Sequence, residues 1–423
     1  MEKEGTPLRK LFSILFISVL AGCGTAMPDG NSGSLKISDD VEYGKTDYEK
    51  IVSPSNQLGW KLLSQVEEND EGNTFISPMS LFMAVSMVYN GADGATKEEI
   101  AKVLEVPGME AVELSKANAS LMEWLSSESE EIQLNIGNSI WLNDRYTFQE
   151  GFERNTQDYF NAEIEAFDIR DSESPKRMNG WVEDATNGKI KEMVKDPLDP
   201  NLVALLLNAV YFKGDWQLPF EEKNTEEKPF YLEDGTEKEV PLMLLREELG
   251  YLKTDGFQAV SLPYGEGEMS MKVFLPKEGS TLEEFQKTLT NENWEKWNAA
   301  FEQQMGTLQL PKFQIEYEAE LNDALIALGM EKAFYSGEAE FTKMVESAGS
   351  LFIDEVKQKT YLDVNEEGTE AAAVTSIAME ESAGSAIEPF NMEVNRPFFV
   401  TIEDEETGLV LFMGTIADPD SEE

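Results

Sequence analysis

Side chains able to do chemistry are unevenly supplied in this chain, which has 82 acidic and 34 basic residues, one cysteine and no histidine in 423 residues. The missing imidazole excludes Ser-His-Asp and Cys-His nucleophile systems and every zinc site that needs a histidine ligand. There is no G-x-S-x-G elbow and no glycine-rich phosphate loop. Carboxylate pairs for acid and base work have no signature of their own in a chain this acidic, since any segment supplies them. A formal charge of -48 repels nucleic acid phosphates and anionic membrane, so no nucleic acid partner is expected.

The residues with an ordered pattern lie near the C-terminal end, in "NEEGTEAAAVTSIAMEESAGSAIEP", residues 365–389. One alternation carries Thr369, Ala371, Ala373, Thr375, Ile377 and Met379, all small or apolar. The other carries Glu370, Ala372, Val374, Ser376, Ala378 and Glu380, charged at both ends. A strand with this pattern buries one face and keeps the ends of the other in water. No proline interrupts it between Gly368, a flexible pivot, and Pro389. It reads either as an exposed β-capable loop or as a loop built to become a strand.

The N-terminus reads as an export signal over residues 1–22. Lys3, Arg9 and Lys10 precede the apolar run "LFSILFISVL", residues 11–20, which is too short to span a bilayer comfortably. "LAGC" follows and resembles the bacterial lipobox, in which Cys23 would be lipidated and become the first residue of the mature chain. The alternative is an ordinary signal peptide with a chance cysteine. As the sole cysteine, Cys23 cannot form an intrachain disulfide. Residues 23–54 are small and polar at first, as expected of a flexible tether. Gly24 is not the aspartate that marks inner-membrane retention, so the expectation is an anchored lipoprotein at the cell surface or outer membrane.

The elements that must position these residues follow from periodicity. Structure is expected from Ser55 onward, with Leu58, Leu62, Leu63 and Val66 at helical spacing. A second apolar helix starts near Met79, capped by Ser77 or Ser80. Thr96 and Glu99 form a capping-box pattern for another short helix. Pro175 suits a first helical position ahead of Met178, Trp181 and Val182, with Trp181 read as core. "LVALLLNAVYFKG", residues 202–214, is almost continuously apolar and marks a central strand covered on both faces. Helices dominate early and strands late, without a βαβ beat, a repeat or a dividing linker, so a single mixed α+β domain is expected over residues 55–423.

"FISPMS", "NAVYFKGDW", "LPKFQIEYE", "NEEGTEAAAVTS" and "NRPFFV…LFMGTIADP" stand in the order and spacing of the serpin family, which the chain resembles over nearly all of residues 55–419. The resemblance implies one domain with three β-sheets, about eight to nine helices and an exposed reactive loop, here residues 366–390. It implies a suicide-substrate inhibitor rather than an enzyme, acting alone as a monomer and without metal or cofactor. In that family a protease cleaves the loop, which inserts as a strand in the central sheet and carries the bound protease to the far pole. Insertion would add roughly 12 ladder bonds at about 0.5 to 1.5 kcal/mol each, a reservoir that is large beside ordinary marginal stability.

The resemblance also implies roles for single residues. Gly368, Thr369, Glu370, Ala371, Ala372 and Ala373 would form the hinge. Counting from Gly368 puts the reactive bond between Ser382 and Ala383, for a serine endopeptidase of elastase-like or subtilisin-like preference. A one-residue shift makes Glu381 the recognition residue, for a glutamate-specific protease, and Met379 would suit a chymotrypsin-like one. No arginine or lysine lies in residues 365–388, which disfavours a trypsin-like target. Ser77, Ser80 and Asn208 match the family's opening region beneath the sheet, and Trp216 the tryptophan near where the loop first enters. Gln358 stands where the family has a histidine, and its amide cannot take up charge. Asn179 and Thr186 would tether the ends of the helix over the sheet, or simply cap it at the surface.

Overall fold

The first half of the chain folds as helices where its apolar residues recur every three to four positions. The computed structural model describes residues 35, 37, 38, 40–126, 131–347, 351–369 and 388–419. Helices α1 (Glu49–Leu63), α2 (Pro78–Gly91), α3 (Gly94–Val103), α4 (Ala111–Leu125), α5 (Glu150–Phe160) and α6 (Ser174–Ala185) all lie within residues 49–185. Three short ones follow, α7 (Leu282–Gln286), α8 (Asn291–Asn298) and α9 (Asn322–Leu328), giving nine α-helices among the described residues. Helix α2 is buried on nearly every side, and Ser77 caps it by accepting from the Ser80 N–H at 3.4 Å while Pro78 takes its first turn. Gly329, at φ 111°, ends α9 in a left-handed conformation that favours glycine.

Two expectations are corrected at this level. Order begins before Ser55, because α1 starts at Glu49 with Pro54 inside it, and Leu35 and Ile37 in the expected tether are buried against the body. Thr96 and Glu99 do not form a capping box. Asp93 occupies the N-cap of α3, and Thr96 and Glu99 instead accept the backbone N–H groups of Glu340, Glu331 and Lys332. A polar pair at capping spacing has here been taken by a distant segment with orphan donors of its own.

The strands, in chain order, are β1 (Thr74–Ile76), β2 (Ile132–Asn143), β3 (Glu163–Phe167), β4 (Ala204–Asp215), β5 (Glu226–Tyr231), β6 (Glu237–Leu245), β7 (Glu248–Lys253) and β8 (Phe257–Tyr264). They continue as β9 (Met269–Pro276), β10 (Glu302–Pro311), β11 (Phe313–Glu320), β12 (Glu355–Val364), β13 (Gly368–Thr369), β14 (Phe390–Glu393), β15 (Phe398–Asp404) and β16 (Val410–Ile416). A six-stranded sheet runs β11-β12-β13-β4-β2-β3, with β12 also paired directly to β4. As its apolar run requires, β4 lies in the interior of this sheet and is buried along almost its whole length.

The remaining strands form one ten-stranded sheet, so two sheets rather than three are present among the described residues. The reason is β10, which pairs with β7 through residues 302–305 and with β6 through residues 308–311, joining what would otherwise be two sheets. The two sheets meet over α2, where Phe212 of β4 lies 6.0 Å from Phe412 of β16, ring centre to ring centre. The fold is therefore mixed α+β, with the six-stranded sheet open to helix α6 on its outer face.

Candidate functional site

Strands β12 and β4 run parallel and in register from Glu355 opposite Leu205 to Tyr361 opposite Tyr211. Above that point they part, and β13 fills the gap, antiparallel to both: Gly368 faces Asp215, and Thr369 faces Gly214 on one side and Val364 on the other. The chain thus starts a strand in a slot whose lower part is still closed. Gly368 is required there by close approach, since a Cβ would sit 2.2 Å from the Gly214 carbonyl oxygen.

An aromatic and polar seat holds this start in place. The buried Thr369 hydroxyl shares a 2.8 Å hydrogen bond with the Tyr264 hydroxyl, and burial pushes the Tyr264 phenol far above its ordinary pKa. The Tyr264 ring stacks on Trp216 at 4.4 Å and meets Phe212 edge-on at 5.1 Å. The indole N–H of Trp216 donates to the Asn365 carbonyl at 2.9 Å, and the backbone N–H groups of Trp216 and Phe220 donate to the carbonyls of Glu367 and Glu366. The Asn365 side chain folds the turn by accepting from the N–H groups of Glu367 and Gly368.

The Glu366 carboxylate accepts from the Thr225 hydroxyl at 2.8 Å and from the Lys312 ammonium at 3.1 Å. Burial works against its charge, but the Thr225 hydroxyl, a backbone N–H and Lys312 together outweigh it and hold the carboxyl below its ordinary value. Asp215, opposite Gly368, has one buried carboxylate oxygen without a hydrogen-bond partner, and burial pushes its carboxyl up against the opposing charge of Lys213.

Halfway down the slot, Asn208 on β4 and Gln358 on β12 face each other in register. The Gln358 amide donates to the Asn208 side-chain oxygen at 2.6 Å and to the Ser77 carbonyl at 2.9 Å, while its oxygen accepts from the Ser77 N–H at 2.9 Å. Asn208 in turn donates to the Ser80 hydroxyl and, at 2.7 Å, to Asn138 on β2. The Ser77 hydroxyl donates to the Leu411 carbonyl at 2.7 Å, tying the network to the second sheet. Ser77, Ser80, Asn208 and Gln358 are all 0% exposed, so every exchange among them happens away from water. Such a network is uncharged, and its amides and hydroxyls each both donate and accept.

The outer face carries α6 and the segment after it. Asn179 donates to the Val194 carbonyl at 2.7 Å and accepts from the N–H groups of Met193 and Val194, and Thr186 accepts from the Ile190 N–H. Together they tie down residues 186–194, and Thr186, the buried C-cap of α6, also donates to the Val182 carbonyl at 2.8 Å. Lys359 of β12 reaches the same segment, donating to the Glu192 carbonyl at 2.7 Å. Burial opposes its charge, but carboxylates of Glu316 and Glu318 at 2.7 and 3.3 Å outweigh that and raise its pKa.

Of the residues singled out in the sequence, Gly368, Thr369 and Trp216 gather at the top of the slot, and Ser77, Ser80, Asn208 and Gln358 at its middle. Glu370, Ala371, Ala372, Ala373, Met379, Glu381, Ser382, Ala383 and Cys23 lie outside the described residues. The sequence reading missed Tyr264, Asn365 and Asn138. Asn138 carried a usable signal, being a polar residue among Ile132, Leu134, Ile136, Ile140 and Leu142 on one face of β2. Among the described residues no cluster of acidic side chains is arranged to hold a metal ion, and no helix is long and apolar enough to cross a membrane.

The family model described as "Serpin (serine protease inhibitor)" matches residues 53–419. An uncharacterized serpin-like protein of Methanosarcina acetivorans is 32% identical over 98% of this chain and 98% of its own length. The native-state crystal structure of tengpin, a thermophilic serpin, superposes with a TM-score of 0.82 at 31% identity, over 90% of this chain and 97% of that one. Human thyroxine-binding globulin complexed with its hormone gives a TM-score of 0.78 at 25% identity, over 89% of this chain and 100% of that one. Serpins meet proteases as pseudo-substrates and are not catalysts. With the family model covering most of its length and the slot built as described, the chain belongs to the serpin family and is not an enzyme.

Proposed function

We propose that this serpin is an irreversible suicide-substrate inhibitor of serine endopeptidases, with cysteine proteases as a further target class. The observation that carries the reading is the seating of Gly368–Thr369 at the top of the β4–β12 slot, directly ahead of a run without proline to residue 388. The protease hydroxyl attacks the carbonyl carbon between Ser382 and Ala383, forming an ester to Ser382 and releasing the amine of Ala383. The freed strand then enters the slot antiparallel to β4 and β12, small side chains inward, and carries the ester away before water hydrolyses it. The small residues Ser382 and Ala383 favour an elastase-like or subtilisin-like target, with Glu381 as the alternative recognition residue. Lipid on Cys23 would hold the monomer at the cell surface or outer membrane.

A second reading, a non-inhibitory surface binding protein, has one observation in its favour. A cavity of about 380 Å³ beside α8 is lined by Lys272, Trp294, Asn298 and Glu403 among others, and thyroxine-binding globulin shows that the fold can carry a small ligand.

Incubating the chain from Gly24 onward with elastase-, subtilisin-, chymotrypsin-, glutamate-specific and papain-like proteases separates the two. A denaturant-stable complex together with a released fragment starting at Ala383 supports inhibition. Cleavage by the whole panel without any adduct refutes it.

A further inference from the structure

The lower end of the slot is closed by a side chain that neither the seat nor the central network uses. Asp354, the residue before β12, accepts from the Val203 N–H at 2.6 Å and from the Ala204 N–H at 2.9 Å through one carboxylate oxygen. Its own N–H donates to the Ala204 carbonyl at 3.0 Å. The β4–β12 ladder would otherwise leave the Val203 and Ala204 donors unpaired below Leu205, so the carboxylate continues the ladder past its last paired residues.

The clamp is itself braced. Asn322, the first residue of α9, donates to the Asp354 carbonyl and accepts from the Val356 N–H at 2.8 Å. On the other side, the Val203 carbonyl accepts from the Asn143 N–H of β2 at 2.8 Å. Both ends of the contact are therefore fixed to elements that do not part when β4 and β12 separate. Asp354 is partly buried, and burial pushes its carboxyl up against the two N–H donors, with Glu355 and Asp199 adding to the upward push.

Register gives the contact its meaning. Gly368 stands opposite Asp215, Thr369 opposite both Gly214 and Val364, and β12 is offset from β4 by a constant step. Continuing that register, a strand entering the slot brings position 375 opposite Asn208 and Gln358, and position 379 opposite Ala204 and Asp354. The Asp354 clamp is the last one such a strand meets. A carboxylate accepting two N–H groups is a charge-assisted contact, stronger than the neutral amide network above it.

We propose that Asp354 latches the bottom of the slot and is a positioning residue for strand insertion, setting how fast the last positions of an entering strand are admitted. The inference rests on the loop-insertion reading given above.

The test uses the full chain and two synthetic peptides copied from its loop, residues 370–380 and residues 370–376, with uptake followed by thermal stability and native gels. The shorter peptide ends opposite Leu207 and Lys357, above the clamp. Asp354→Ala is expected to speed uptake of the longer peptide about tenfold or more, since two charge-assisted bonds are lost, and to leave the shorter peptide's rate unchanged. Asp354→Asn, which keeps an acceptor without charge, should fall between the two and also guards against a folding defect in the alanine variant. Equal uptake of the longer peptide by wild type and both variants overturns the latch. So does equal acceleration of both peptides, which would mean a general loosening of the sheet. If wild type takes up neither peptide and gains no stability when its loop is cleaved, loop insertion itself fails and the latch falls with it.

Discussion

The top and the middle of one slot are held by different chemistry. At the top, aromatic stacking of Trp216 on Tyr264, the Thr369 hydroxyl and the Glu366–Lys312 ion pair grip a piece of the chain that has already entered. In the middle, Ser77, Ser80, Asn138, Asn208 and Gln358 hold two strands together with neutral hydrogen bonds alone. An apolar, charged seat fixes one geometry, because a ring or an ion pair moved by a few ångströms loses its partner. An amide and hydroxyl network tolerates rearrangement, because each member both donates and accepts. If loop insertion proceeds as proposed, the contrast places permanence where the strand begins and exchange where it would pass.

The comparison can be broken most sharply at Thr369. Thr369→Arg puts an unpaired charge into a fully buried seat, a cost of roughly 3 to 5 kcal/mol, and should lower the yield of covalent protease complex about a hundredfold or more. Gel bands would show cleaved chain in its place; undiminished complex would mean that the seat is dispensable. Asn208→Ala attacks the middle instead. It strands Gln358, Ser80 and Asn138 without their shared partner, and about 2 to 4 kcal/mol of stability should be lost in urea unfolding.

Smaller effects sharpen the contrast between charged and neutral regions. Glu366→Gln keeps a bond to Thr225 but loses the charge opposite Lys312, which is partly exposed, and should cost about 1 kcal/mol at neutral pH. Because the folded carboxyl lies below its ordinary value of 4.5, this stabilisation is present above that value and is lost as pH falls through the lowered one. The difference between wild type and variant should therefore vanish in acid. Gln358→His should change stability at pH 8 by no more than about 1 kcal/mol. Between about pH 6.5 and 5 the variant should weaken relative to wild type, since a buried neutral imidazole takes up a proton on unfolding there. Parallel pH profiles for the two would show that the amide network is not buried from water as described.

Local pattern was legible wherever one physical period dominated. The apolar run of β4, the Ser77 cap and the helix with Pro175 in its first turn each follow from a few adjacent residues. The failures came where a distant segment supplied a better partner. Thr96 and Glu99 have capping-box spacing, yet they accept backbone N–H groups of residues 331, 332 and 340, which lie more than 230 residues away in the chain. Leu35 and Ile37 sit in a polar stretch, yet they find the core. Joining the expected sheets into one depended on β10 being long enough to pair with different neighbours at its two ends, which no window of sequence reveals.

By itself the sequence determined the chemistry that is absent, the small and apolar alternation after Gly368, and the order of motifs that marks the family. These depend on residue type and short spacing alone. Tertiary structure decided which side chains meet. Tyr264 reaches Thr369 across 105 residues, Gln358 reaches Ser77 across 281, and Asp354 reaches Val203 across 151. Contacts of that span are set by the register of strands paired far apart in the chain, and one residue of slip in β12 against β4 would part every one of the slot's cross-strand pairs.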